Sequence, residues 1–220
     1  MTFQVDEDVM RRLWDNYYVP YVNGYFGAYG NFRSDDIRSG DIVACVGSSS
    51  SATYFPGEIS RDDGSTYPIE GMVLPLPNFA GTEPMAVQQG AGMVISRSTE
   101  ERERAAAEFL KWFTAPEQNL RFASASGYLP VTVQANAAAA VLAAAEAAGQ
   151  QMNDVLRESL EVGVEITGTY TLYTSRPFEN GYAARQVAEH AMFDKAKDCL
   201  LYTSPVYCPA NATAFRACGR

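Results

Sequence analysis

Between positions 6 and 18, apolar residues fall at Val9, Met10, Leu13, Trp14 and Tyr17. That spacing predicts a helix with one buried face. An aromatic, glycine-containing stretch follows over 20–32, with Tyr21, Tyr25, Phe26 and Tyr29. Residues 34–40 read as a polar turn or a single helical turn. The run Asp41-Ile42-Val43-Ala44-Cys45-Val46-Gly47 is short, continuous and apolar, the pattern of a strand covered on both faces. Further strands are predicted over 71–74 and 92–95, with Pro75, Pro77 and Gly81 breaking the chain between them.

Helical signals dominate the second half. Ser98-Thr99-Glu100-Glu101 reads as a capping box with Ser98 as N-cap and Glu101 three residues on. Ala105, Ala106, Phe109, Leu110 and Phe113 then form one apolar face. Thr114-Ala115-Pro116-Glu117 reads as a second box, opening a helix that should end at Gly127. Residues 135–148 are alanine-rich and helical by propensity. A separate helix is predicted over 152–160, after Gly149. A last amphipathic helix is predicted over 181–197, with Ala184, Val187, Ala188, Ala191 and Met192 on one side. Trp14 and Trp112 fall on apolar helical faces and are assigned to core. Strands alternating with helices give an α/β class. Three strands are few for 220 residues, which points to a missing portion of sheet.

Composition narrows the function. An apolar fraction of 47% supports a buried core. A formal net charge of −9 without a basic stripe argues against a nucleic-acid partner. No apolar run approaches the roughly 20 residues of a membrane span. The first residues, Met1-Thr2-Phe3-Gln4-Val5-Asp6-Glu7, do not read as a signal peptide, so either the protein is cytosolic or its true N-terminus lies elsewhere. Cys45 sits in an apolar run and reads as a small buried hydrophobe. Cys199, Cys208 and Cys218 lack the paired spacing of a zinc site, and neither a metal nor a cofactor is expected.

Catalysis finds little support. His190 lies inside the last predicted helix. Ser48 to Ser51 have no G-x-S-x-G context. Asp35-Asp36 and Asp62-Asp63 read as turn residues, and Glu100 to Arg104 as a solvated helix face.

Several segments together resemble a known family. They are Phe32-Arg33-Ser34-Asp35-Asp36 through Gly47-Ser48-Ser49-Ser50; Gln88-Gln89-Gly90-Ala91-Gly92-Met93-Val94-Ile95; and Ala105-Ala106-Ala107-Glu108-Phe109-Leu110-Lys111-Trp112-Phe113-Thr114. Glu117-Gln118-Asn119-Leu120, Ser126-Gly127-Tyr128-Leu129-Pro130-Val131, and Tyr170-Thr171-Leu172-Tyr173 through Arg176-Pro177-Phe178 complete the series. In order and spacing they resemble the family 1 extracellular solute-binding proteins of ABC importers, over roughly 6–197. The resemblance implies a periplasmic-binding-protein-like fold of two α/β lobes with ligand held in the cleft, of which this chain is the C-terminal half only. It places 1–80 in the C-terminal lobe, 81–90 at an inter-lobe crossing and 91–148 in the N-terminal lobe. Residues 149–198 then return to the C-terminal lobe with the final helix. It implies an extracytoplasmic location, no enzymatic step, a small-molecule ligand with sugar preferred, and ABC permease transmembrane subunits as partners. Peripheral membrane association would come through an N-terminal anchor that this chain lacks.

A sugar site needs flat aromatic faces and a few directed hydrogen-bonding groups. Ser48, Ser49 and Ser50, after the first predicted strand, offer hydroxyls and backbone N–H groups, or else form only an N-cap and tight turn. Gln89, Gly90 and Ala91 mark the predicted crossing, where glycine admits close approach, or else a surface strand end. Tyr128 stacks on a ring or staples a helix end. Tyr173, Arg176 and Phe178 lie in the loop before the last helix, where Arg176 binds an anion or is a solvated surface charge. Two alternatives stand beside a binding protein. One is a carbohydrate-active α/β enzyme, which would need a carboxylate pair across a cleft. The other is a non-binding fragment. Residues 199–220 are expected to be a non-native tail, because Cys199-Leu200-Leu201-Tyr202-Thr203-Ser204 resembles one reading frame of a transposase end sequence used in sequencing libraries.

Overall fold

The computed structural model describes residues 6–27, 29 and 32–203. In chain order its helices are α1 (Glu7–Leu13), α2 (Val19–Val22), α3 (Arg33–Ser39), α4 (Glu100–Phe113), α5 (Pro116–Ser126), α6 (Ala138–Ala147), α7 (Asp154–Thr169) and α8 (Gly181–Thr203). Its strands are β1 (Glu58–Ser60), β2 (Thr66–Pro68), β3 (Met85–Val87) and β4 (Thr171–Tyr173). Helix and sheet are mixed, consistent with the α/β class. The chain divides into two units, Met1–Tyr29 with Arg176–Arg220 and Gly30–Ser175.

In the first unit, the Asp6 side chain caps α1 by accepting from Val9 N at 3.0 Å. Acidic Glu7 and Asp8 open the helix and Arg11 and Arg12 close it, matching the helix dipole. Trp14–Tyr18 then winds as a π-helical turn. Pro20 explains it, because a proline has no N–H to return to the carbonyl one α-turn back. Trp14 stacks on Tyr18 with ring centroids 5.6 Å apart, and Tyr17 meets Phe26 at 5.1 Å. Beside α2 lies α8, on which Val187 is exposed rather than buried as the predicted amphipathic face required. The helix passes position 198 and runs to Thr203; residues 204–220, most of the tail expected to be non-native, lie outside the described residues.

In the second unit, Ala52, Val141, Leu156 and Leu160 form the core, with Leu120, Leu129, Met152 and Val155 packed against it. α5 packs on α6, and α7 on the 3-10 turn Ser49–Tyr54. Gly163 of α7 lies against Leu129, where an added Cβ would sit 3.1 Å from Leu129 Cδ2. α3 ends at Gly40, whose φ of 82° satisfies the last carbonyls in a left-handed cap. β1 and β2 make an antiparallel hairpin, Glu58 opposite Pro68 and Ser60 opposite Thr66. Its turn is held by Asp63 Oδ1, which accepts from Ser65 Oγ at 2.6 Å and Ser65 N at 2.9 Å. The Ser65 hydroxyl first, then its backbone N–H, hold the Asp63 carboxyl below its usual range.

The three predicted strands are corrected. Residues 41–47, 71–74 and 92–95 are irregular; among the described residues no ladder includes them, and a strand exists only through a hydrogen-bonded neighbour. Cys45 is exposed, not buried, and Trp112 is exposed on α4 rather than in the core. Two caps also shift by one residue. Thr99 occupies the N-cap of α4, although Glu103 Oε1 still reaches back to Ser98 N at 2.7 Å. Ala115 occupies the N-cap of α5, and Thr114 instead closes α4, its Oγ1 donating to Leu110 O at 2.8 Å.

Candidate functional site

Ser48 precedes the 3-10 turn at its N-cap position. Its carbonyl accepts from Ser51 N at 3.0 Å and from Ser51 Oγ at 2.6 Å. The Ser48 and Ser50 hydroxyls lie 3.0 Å apart. Ser50 O accepts from Thr53 Oγ1 at 2.8 Å. The serine run therefore builds its own turn first, while Ser48 stays exposed and Ser49 and Ser50 half-buried.

A second segment reaches this turn. Gly127 closes α5 with φ 71°, and a Cβ there would lie 2.9 Å from Ser50 Cα and 3.0 Å from Ser49 O. Only glycine permits both that conformation and that approach. Tyr128 follows directly, exposed, its ring 6.0 Å from that of Phe122. From the other side, buried Ser159 of α7 donates through Oγ to Ser49 O at 3.4 Å. The fold thus brings Ser49, Ser50 and the Gly127–Tyr128 turn together. The aromatic series continues outward from Phe122 to Phe113 at 5.1 Å and on to Phe109 at 5.9 Å.

A second pair of segments meets along β3 and β4. Their register is parallel, Met85 opposite Thr171 and Val87 opposite Tyr173. Gln88 N extends the ladder by donating to Tyr173 O at 2.8 Å, and Thr174 Oγ1 contacts Gln88 O at 3.5 Å. Gln89, Gly90 and Ala91 continue past this pairing, all exposed. No hydrogen bond among the described residues joins them to the serine turn. Arg176 and Phe178 belong to the other unit. There the Phe178 ring lies against Gly181, 3.2 Å from where a Cβ would be, and Asn180 takes a φ of 61°.

Residues 5–149 match the family model described as bacterial extracellular solute-binding protein. The chain belongs to that family. No curated protein and no solved structure matches it. The resemblance seen in the order of its segments is thereby borne out, and the role of this solute-binding protein is to bind a substrate for import. By the family's description that role is extracellular. The matched stretch includes Ser48 to Ser50, Gln89 to Ala91 and Tyr128, and stops short of Tyr173, Arg176 and Phe178.

Sequence reasoning overlooked three positioning residues. Ser159 holds the serine turn. Glu158 Oε2 accepts from Val73 N at 3.0 Å. Buried Asn119 accepts through Oδ1 from Val131 N at 2.8 Å, fixing the loop after Tyr128. All three lie inside helices, where a polar residue gives no positional signal until its tertiary partner is known. Asn153 was legible, since an Asn before a helical run is an N-cap signal; it accepts from Leu156 N at 2.7 Å.

Proposed function

We propose that this solute-binding protein carries a small neutral carbohydrate and presents it to the transmembrane permease of an ABC importer. Supporting that reading most directly is the approach of the Gly127–Tyr128 turn to Ser49 and Ser50. Tyr128, next in the chain to that contact, would supply the apolar face and the serine turn the directed polar edges that a sugar ring asks for. Ser48, Ser49, Ser50 and Tyr128 form one part of the proposed contact set. Gln89, Gly90, Ala91 and Tyr173 form another, with the amide of Gln89 able to donate to and accept from sugar hydroxyls. Arg176 and Phe178 belong to the other unit and are proposed as ligand contacts by themselves. The described sequence corresponds, on this proposal, to the C-terminal half of a two-lobed binding protein, lipid-anchored through a preceding segment.

The test is a thermal-shift screen of the protein translated from the whole reading frame, against neutral sugars, phosphorylated polyols and amino acids. A ligand that binds only the native state at about 100 times its Kd stabilises it by about 2.7 kcal/mol. A Tm rise with one sugar class, abolished by Tyr128→Ala, is the expected result. A rise with amino acids or phosphorylated polyols alone would overturn the carbohydrate assignment.

A further inference from the structure

Residues 75–85 form a braced loop outside both the core and the proposed contact set. Pro75, Pro77 and Pro84 each fix a backbone angle in it. Its two ends are tied to one neighbour: Tyr170 Oη donates to Leu76 O at 3.3 Å, and Thr171 N donates to Pro84 O at 2.9 Å. Asn78 closes the loop on itself, its Oδ1 accepting from Met85 N at 2.9 Å and its Nδ2 donating to Leu76 O at 3.1 Å. Thr82 turns back on Phe79, whose carbonyl accepts from Thr82 N at 3.1 Å and from Thr82 Oγ1 at 2.7 Å. These ties hold open a cavity of about 470 Å³, lined by Pro77, Asn78, Phe79, Thr82, Glu83 and Met85. That volume falls within the roughly 300–1,000 Å³ of ligand pockets.

The chemistry of the lining selects an occupant. Pro77, Phe79 and Met85 supply apolar walls. The Thr82 hydroxyl has spent its hydrogen on Phe79 O, so its oxygen can only accept. Among the described residues, no hydrogen bond or ion pair engages the Glu83 carboxylate. Accepting oxygens and a negative charge beside an aromatic face call for a donor-rich cation on an apolar stem. Arginine fits best, because its planar guanidinium forks onto a carboxylate and stacks on a ring. The chain makes one half of that arrangement elsewhere, with the Arg61 guanidinium 5.1 Å from the centre of the Tyr67 ring. All six lining residues are exposed, whereas a small-molecule pocket buries about 70–90% of its ligand. A single loop leaves most of a free molecule in water, but a side chain projecting from a protein surface needs only its tip enclosed. A second copy of this chain is a poor source, because two molecules of net charge −9 repel.

We infer that the 77–85 loop is a docking surface for a basic protein partner, one of whose arginine side chains enters the cavity between Glu83 and Phe79. The inference lies outside the solute site and stands whether or not the solute is a sugar. The test is an NMR titration of the 220-residue chain, following the Met85 methyl and Glu83 amide signals. Three probes are compared: capped Gly-Arg-Gly, the same peptide with neutral citrulline for arginine, and tetramethylammonium. The arginine peptide should shift both signals and bind at least about 3-fold more tightly than the citrulline peptide, as an exposed ion pair with a cation–π contact allows. Added salt should shrink that difference, and Glu83→Gln, an exposed and isosteric change, should abolish it. No shift at either signal overturns the inference, as does equal binding of the two peptides. A preference for arginine that survives Glu83→Gln also overturns it, since the overall negative charge and not the cavity would then be the cause. Tighter binding of tetramethylammonium than of the arginine peptide would make the occupant a free organic cation and overturn the protein partner.

Discussion

Replacing Gly127 with alanine isolates what the close approach of two loops is worth. Gly127 and Gly149 both follow helices in left-handed conformation, with φ of 71° and 64°. An added Cβ at Gly149 meets nothing within 4 Å, whereas at Gly127 it lies 2.9 Å from Ser50 Cα and 3.0 Å from Ser49 O. Both substitutions carry the left-handed penalty, about 1–2 kcal/mol for a residue with a Cβ. Only Gly127→Ala adds an overlap with backbone, which cannot rotate away and costs a further 1–3 kcal/mol or so. We therefore expect Gly127→Ala to lose about 2–5 kcal/mol and Gly149→Ala about 1–2 kcal/mol. At roughly 2–4 °C per kcal/mol, the two melting points should differ by several degrees. Urea unfolding followed by far-ultraviolet circular dichroism reads the difference directly. Equal losses in the two variants would show that the serine turn and the α5 end do not press on each other, and would remove the main structural support for placing Tyr128 beside Ser49 and Ser50.

Leu160→Ala empties a fully buried site beside Val141 and Leu156; it should cost about 2–5 kcal/mol in urea unfolding, and a loss under 1 kcal/mol would refute that core. Glu158→Ala removes the carboxylate that accepts from Val73 N; about 1.5–3 kcal/mol should be lost, the range for a charged acceptor, and faster exchange at Val73 should accompany it. The Asp63 carboxyl is held down by Ser65, so its contribution is present above the ordinary carboxylate pKa and disappears as pH falls through the lowered one. An NMR titration should show the hairpin amides near Ser65 shifting only below the pH at which exposed carboxylates titrate, and Ser65→Ala should move that midpoint up.

Helices were far more legible than strands, for a physical reason visible in particular residues. α4 declares itself through local chemistry: acidic residues in its first turn and a 3.6-residue apolar spacing, though Thr114, read as opening the next helix, in fact closes this one. Gly127 announces the end of α5 for the same reason, since a left-handed cap is a property of one residue. A strand has no such autonomy. The run 41–47 has the composition of a buried strand and makes no ladder, while β3 and β4, three residues each, pair through contacts that composition does not signal. The β1–β2 hairpin carried its sign in Asp62-Asp63, read as turn residues without the flanking strands being drawn from them. Trp112 misled because helical spacing says which residues share a face, not whether anything covers that face. At the candidate site, the serine turn and Tyr128 were both singled out along the chain, yet their meeting depends on Gly127 tolerating a backbone contact across 77 positions, which spacing alone does not encode.

The pairing of β3 with β4 also sets an order of events. Gln88 and Thr174 are 86 residues apart, so closing that loop in an unstructured chain costs about 4 kcal/mol plus a constant. A few ladder bonds, each worth about 1 kcal/mol net, cannot offset that by themselves. The intervening helices must condense first and shorten the effective loop, starting from the neighbours α5, α6 and α7, whose contacts are nearer in sequence. The parallel pair would then form late in folding. Mutations in it should speed unfolding and leave the folding rate almost untouched, whereas mutations at Val141 or Leu160 should slow folding itself.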